Sequence, residues 1–400
     1  MPRTRLSLDQ VPLREAPGWV PRKGSFRRVY LDSASSEPLH PAARDAFLAA
    51  LDRGYADPRR LHSPARDARL VLDNAREAVA EALGVRRDEV SFTPSGTDAV
   101  HRGFLGLLPR NPPMYSAVVT SSVEHSAVLH ARSWHGERAG RKNLVVPVDA
   151  MGRVRTNGFA VAADDGVLAA ALQHANHEVG TIQPVTEVAE ALGDVPLFMD
   201  ACASMGRLPL PEGWSVAAGS AHKWGGPAGV GVLLVRKGVR WTNPFPEDDR
   251  VDHRVAGFEN VPAALGAAAA LQAVVAERDE VNARQHALVD RIRAAVAEIP
   301  DTEVVGDPVD RLPHLVTFSF LYVAGEAIVD ALNRRGFEVA SGSACTASTL
   351  EPSHVLAAMG ALTHGNVRVS LTRDATEADV DAFLAVLPEA VAEIRRDAGL

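Results

Sequence analysis

Residues 214–236 read WSVAAGSAHKWGGPAGVGVLLVR: an apolar run, a Ser-Ala-His-Lys step, a glycine-rich turn and a second apolar run. Short apolar runs bounded by glycine and proline read as buried strands, so this stretch predicts strand, turn, strand, with Lys223 on the turn. Upstream, strand-like runs recur at EVSFT (89–93), AVVTS (117–121), LVVPV (144–148), VLAAALQ (167–173) and PLFMD (196–200). Helical segments lie between them. Leu72, Ala75, Val79 and Leu83 follow helical spacing and stop at Gly84, a helix is expected from about Glu124, and VTEVAEALG (185–193) is another. Strands interleaved with helices predict a mostly parallel α/β sheet, which binds ligands at the carboxyl ends of its strands.

Downstream the pattern changes. Val261 to Ile299 is an alanine-rich helical stretch, followed by TEVVG (302–306), HLVTFSF (314–320), FEVA (337–340), NVRVSL (366–371) and a last helix. In that helix Val380, Leu384, Leu387, Val391 and Ile394 mark one face. The expected organisation is a surface arm over 1–27, a large α/β domain over 28–260, and a linking helix with a small α+β domain over 261–400.

With 400 residues, 46% apolar and 23% charged, the chain has ample core, which excludes wholesale disorder and collagen-like repeats. A net charge of −8 gives no global attraction for nucleic acid phosphate. Two cysteines, Cys202 and Cys345, make no disulfide framework and no zinc-type cluster, which suits a reducing cytoplasm. The proline-containing first residues lack a secretory apolar core. The longest nearly apolar stretch, Ala263 to Ala276, contains Gln272 and falls short of the roughly 20 residues that span a bilayer, so no membrane association is expected.

The chain has only four lysines: Lys23, Lys142, Lys223 and Lys237. Three of them lie in the arm or in polar turns. Lys223, between an apolar strand and glycines, can lose some of its preference for charge and form a Schiff base with an aldehyde cofactor, although a snorkelling turn lysine is the equal alternative. Asp200 ends a strand, where its carboxylate can pair with a pyridinium nitrogen or simply cap a helix. Phe92-Thr93-Pro94-Ser95-Gly96-Thr97-Asp98 passes from strand to helix, either as a phosphate-binding helix start or as an ordinary serine cap. Arg368, inside an apolar run, needs an anionic partner. Cys345 sits among small residues in Ser341-Gly342-Ser343-Ala344-Cys345-Thr346, where a loop can move, whereas Cys202 reads as a small buried hydrophobe.

The order of these segments resembles the cysteine desulfurases, fold-type-I pyridoxal phosphate enzymes of the class V aminotransferase group, across nearly the whole chain. The resemblance rests on Tyr30-Leu31-Asp32, His62, Phe92-Thr93 with Gly96-Thr97, Glu124-His125 with Ala127-Val128-Leu129, Asn176 with Glu178-Val179-Gly180, Asp200-Ala201 and His222-Lys223. It continues through Glu259-Asn260-Val261-Pro262, the Cys345 segment followed by Leu350-Glu351-Pro352-Ser353, and Val367-Arg368-Val369-Ser370-Leu371. It implies a seven-stranded, mostly parallel sheet in the large domain and a homodimer.

It further implies that Lys223 holds pyridoxal 5'-phosphate, Asp200 pairs with the ring nitrogen and His125 lies over the ring. Gly96, Thr97, Ser220 and His222 would surround the phosphate, Asn176 would contact the ring hydroxyl or substrate, and Arg368 would clamp the substrate carboxylate. Cys345 would take sulfur from L-cysteine as a persulfide, leaving L-alanine, and pass it to an acceptor. No carrier domain follows Leu400, so the acceptor is expected from solution. Two positions depart from the family pattern: Ala203 stands where a glutamine usually bonds the cofactor hydroxyl, and Phe258 where a threonine usually reaches the neighbouring subunit's cofactor. Arg254 is a nearby candidate to compensate. The alternatives are a C–S lyase or class V aminotransferase acting on another amino acid, and a weakly catalytic scaffold in sulfur traffic.

Overall fold

The computed structural model describes residues 28–109, 116–137, 142–163, 166–246, 248, 252–341 and 352–399. Cys345 lies outside the described residues. The described chain begins with β1 (Val29–Tyr30), α1 (Pro41–Leu51) and α2 (Ser63–Leu83). Four strand–helix units follow: β2 (Val90–Thr93) with α3 (Gly96–Gly106), β3 (Ala117–Ser121) with α4 (Ser126–Glu137), β4 (Lys142–Val146) with α5 (Thr156–Ala163), and β5 (Val167–Gln173) with α6 (Val185–Leu192). Then come β6 (Leu197–Asp200), β7 (Val216–Ser220) and β8 (Gly231–Val235). The remainder is α7 (Val261–Ala297), β9 (Thr302–Val305), β10 (Leu315–Phe320), α8 (Gly325–Arg334), β11 (Phe337–Glu338), α9 (His354–Met359), β12 (Asn366–Ser370) and α10 (Glu377–Asp397).

The central sheet has seven strands in the order β2-β8-β7-β6-β5-β3-β4, as the resemblance implied. Only β8 runs against its neighbours; the other pairings are parallel. Strands buried on both faces are rich in apolar residues, and β2, β3, β6, β7 and β8 are buried throughout. Because β2, β3, β5, β6 and β7 all point the same way, Thr93, Ser121, Gln173, Asp200 and Ser220 end at one edge of the sheet. That edge carries the site.

Helices cover both faces. In α2, Ala65, Ala68, Leu72, Ala75 and Val79 form the buried stripe; the His62 side chain accepts from the Ala65 amide at the start, and Gly84 at φ 66° ends the helix. The second body is an antiparallel sheet in the order β12-β10-β9, packed under α8, α10 and the end of α7. Helix α7 belongs to both cores: Val261, Ala264, Ala268 and Leu271 lie in the first, and Leu288, Ile292 and Val296 in the second. β1 pairs with β11, Val29 opposite Phe337, and Leu31 joins the second core, so the chain crosses between the bodies near its start as well as at α7. Among the described residues no helix is long and apolar enough to cross a membrane.

Candidate active site

At the carboxyl edge of the sheet lies a cavity of about 170 Å³, lined by Gly96, Thr97, His125, Gln173, His177, Asp200, Cys202, Ala203, Ser220, His222 and Lys223 among others. These residues arrive from the ends of five strands: β2, β3, β5, β6 and β7. β7 delivers Ser220, and the short turn Ala221–Lys223 then swings Lys223 inward. That turn is fixed from three sides: Trp224 is 1% exposed and its Nε1 donates to Ala267 O at 3.1 Å, the Glu37 amide donates to His222 O at 2.8 Å, and the His40 amide to Gly225 O at 2.8 Å. β6 delivers Asp200, buried, with Oδ1 accepting from the Cys202 amide at 2.9 Å.

The start of α3 forms one end of the cavity. Ser95 caps it by accepting from the Asp98 amide at 3.0 Å. Gly96 allows a close approach: a Cβ there would stand 2.5 Å from Ser220 Cβ. Gly231 is needed for the same junction, since a Cβ would fall 2.2 Å from Ser95 O. Ser220 Oγ lies 3.2 Å from His222 Nδ1. Unbonded helix-start amides, two hydroxyls and an imidazole therefore converge, a donor set suited to a phosphate.

His125 follows β3. Its Nδ1 accepts from the Ala127 amide at 3.1 Å, which leaves the proton on Nε2 of the neutral ring. Burial lowers its pKa, and the Lys223 ammonium adds to that, against the opposing Asp200 carboxylate. Burial likewise holds Cys202 as a thiol, its pKa pushed well up with help from Asp200. Glu124 is fully buried; its Oε1 accepts from Ser121 Oγ and from the Gln173 amide, and desolvation raises its pKa to about 8.

Asn176 does not line the cavity. Its Oδ1 accepts from the Glu178 and Val179 amides at 2.8 and 2.9 Å, and its Nδ2 donates to Val123 O at 3.2 Å. The wall position belongs to the next residue, His177, which sequence reading missed. His177 packs edge-on against His125 with ring centroids 4.9 Å apart, and burial pushes its pKa well down. With Ala203 and Lys223 it also lines a small adjoining cavity. Its place in the Asn-His-Glu turn next to Asn176 was the available signal.

Arg368 does not open onto the main cavity. Its Nη1 donates to His177 O at 3.0 Å and its Nη2 to Asp32 Oδ1 at 2.8 Å. Arg254 donates to Asp88 O and Ser91 Oγ at the other end of β2, away from the cavity. Phe258 is about half exposed, at 52%. The residues flanking 342–351 are anchored beside the site. Ala340 exchanges backbone bonds with Arg368, Ser353 Oγ donates to Glu178 Oε2, and His354 Nε2 lies 3.0 Å from Glu124 O.

Residues 29–383 match the family model Aminotransferase class-V. The chain is 39% identical over 387 residues to an IscS-like cysteine desulfurase from Mycobacterium tuberculosis, covering 92% of this chain and 98% of that one. It belongs to the cysteine desulfurase family of the class V aminotransferase group. A cysteine desulfurase IscS from Methanosarcina thermophila is 33% identical over 377 residues, covering 92% of this chain and 93% of the relative. A solved NifS-like protein superimposes with a TM-score of 0.85 at 27% identity, covering 92% of this chain and all of the other.

Proposed function

We propose that this protein is a cysteine desulfurase that releases L-alanine from L-cysteine and receives the sulfur on Cys345 as a persulfide. The observation that carries the reading is the meeting of Lys223, Asp200 and His125 around one cavity, in a chain whose curated relatives are desulfurases. The residues fit pyridoxal 5'-phosphate: the cradle between Gly96 and Ser220 closes if a Cβ is added, and an amine and a carboxylate line the same cavity. When bound, that cofactor supplies an electron sink that loosens bonds at the substrate's Cα and Cβ.

Lys223 Nζ would hold the cofactor and then carry the proton at the substrate Cα. Asp200 would pair with the ring nitrogen, while Gly96, Thr97, Ser220 and His222 would hold the phosphate. His125, neutral with its proton on Nε2, would cover the ring and serve in proton transfer. His177 takes the wall position expected of Asn176. Arg368 is the cation assigned to the substrate carboxylate. The Cys345 thiolate attacks the substrate sulfur, forming an S–S bond as the C–S bond breaks, and a proton returned to the carbon completes alanine. We further infer a homodimer working in the cytoplasm, with an external sulfur acceptor.

The test is incubation of the purified protein with L-cysteine and a thiol reductant, measuring alanine and sulfide. Cys345→Ser and Lys223→Ala are each expected to lower alanine formation by at least about a hundredfold. Full alanine release by Cys345→Ser would remove Cys345 from the sulfur-abstraction step, pyruvate or 3-mercaptopyruvate in place of alanine would replace this reading with a C–S lyase or transaminase, and no turnover at all by the wild type would favour the scaffold.

A further inference from the structure

Arg368 lies on β12 with its side chain 3% exposed, and its donors can be counted. A guanidinium has five N–H groups, one on Nε and two on each Nη. Nη1 gives one hydrogen to His177 O. Nη2 gives both of its own, to Asp32 Oδ1 at 2.8 Å and to Ser35 Oγ at 2.7 Å. Ser35 Oγ directs its hydrogen to Asp32 Oδ1 at 2.9 Å, so toward Arg368 it is an acceptor. Nε is buried and has no partner among the described residues.

A carboxylate binds a guanidinium bidentately through two parallel N–H groups, either Nε with Nη2 or Nη1 with Nη2. Both arrangements need an Nη2 hydrogen, and both of those are taken. The holders are fixed: Tyr30 Oη donates to Asp32 O at 3.0 Å and Ser36 O at 2.9 Å, and Ser33 Oγ donates to Leu371 O at 2.8 Å. The Asp32 side chain nevertheless keeps 24% exposure, so it can return to water where the arginine cannot.

We propose that Asp32, seconded by Ser35, is an internal stand-in for the substrate's α-carboxylate, which must displace it from Nη2 of Arg368 to bind. This rests on the assignment of Arg368 to the substrate carboxylate above. Asp32 thus sets the affinity for the carboxylate: an amino acid must displace it, whereas an amine without a carboxylate leaves the Asp32–Arg368 pair in place.

The experiment titrates the cofactor-loaded protein with L-alanine and, separately, with ethylamine, following the visible cofactor band. Asp32→Asn is expected to tighten L-alanine binding about tenfold, because a neutral amide competes less well for the guanidinium, and to leave ethylamine within about twofold. Ser35→Ala, which removes one holder and leaves the charge in place, is expected to tighten L-alanine about threefold and keeps the question open to refutation if Asp32→Asn does not fold. Unchanged or weaker L-alanine binding in the folded variants would overturn the proposal and make Asp32 a mere support for Arg368. Arg368→Lys separates the two levels: about tenfold weaker L-alanine binding upholds the assignment of Arg368, whereas unchanged binding removes that assignment itself.

Discussion

Glu124 is a carboxyl held far from its ordinary state. Desolvation lifts its pKa from 4.5 to about 8, so the folded protein keeps a proton that the unfolded chain releases. Between those values the native state binds more protons, and this residue's contribution to stability falls as pH rises, levelling off above about 8. Glu124→Gln removes that dependence and can still accept from Ser121 and the Gln173 amide. Its melting temperature, measured from pH 5 to 8, is expected to decline less with pH than that of the wild type. His174 has the opposite sign: burial lowers it to about 4, so its contribution is complete above about 6.5 and is lost as pH falls toward 4. Lys223, Asp200 and the helix start at Gly96 and Thr97 were legible in the sequence as candidates because strand ends announce themselves, as Asp200 does after an apolar run, whereas His125, Ser220 and His222 came only with the family resemblance. His177 was not legible, because one residue of register in a tight turn decides which side chain faces inward, and only the backbone amides that bind Asn176 Oδ1 settle it.

Among the elements, α3 and the turn after β7 depend on a contact that no side chain can share. Gly96→Ala places its methyl against Ser220 and pries the helix start away from it. The expected results are a loss of about 1–3 kcal/mol in stability, read by chemical denaturation, and at least about tenfold faster loss of cofactor on dialysis, read by absorbance. Strands were the most readable elements, since runs such as VLAAALQ and AVVTS are apolar at nearly every position and the structure buries them almost entirely. α1 escaped sequence reading for the converse reason: only Ala43 and Ala50 are fully buried along PAARDAFLAAL, too few to mark a stripe, and its helical state comes from packing against α7 and from the His40 cap.

For the molecule as a whole, α7 joins the two cores, and damage in either should reach the other. Leu271→Ala in the first core and Leu288→Ala in the second are each expected to cost about 2–5 kcal/mol, with far-ultraviolet ellipticity and tryptophan fluorescence melting together in one transition. Two separated transitions would show bodies that unfold independently. The change from alternating strands and helices to one long helix was visible along the chain, but the pairing of β1 with β11 was not, because strands of two residues separated by hundreds of positions carry no local pattern. That pairing sets an order on biosynthesis. The backbone that holds Asp32, Ser33 and Ala34 is closed by Ser370 and Leu371, so a polypeptide still emerging from the ribosome cannot finish its anion clamp until almost the last segment is translated. A nascent chain stalled ahead of Asn366 would lack Arg368 altogether, so the cation assigned to the substrate carboxylate is among the last parts of the site to arrive.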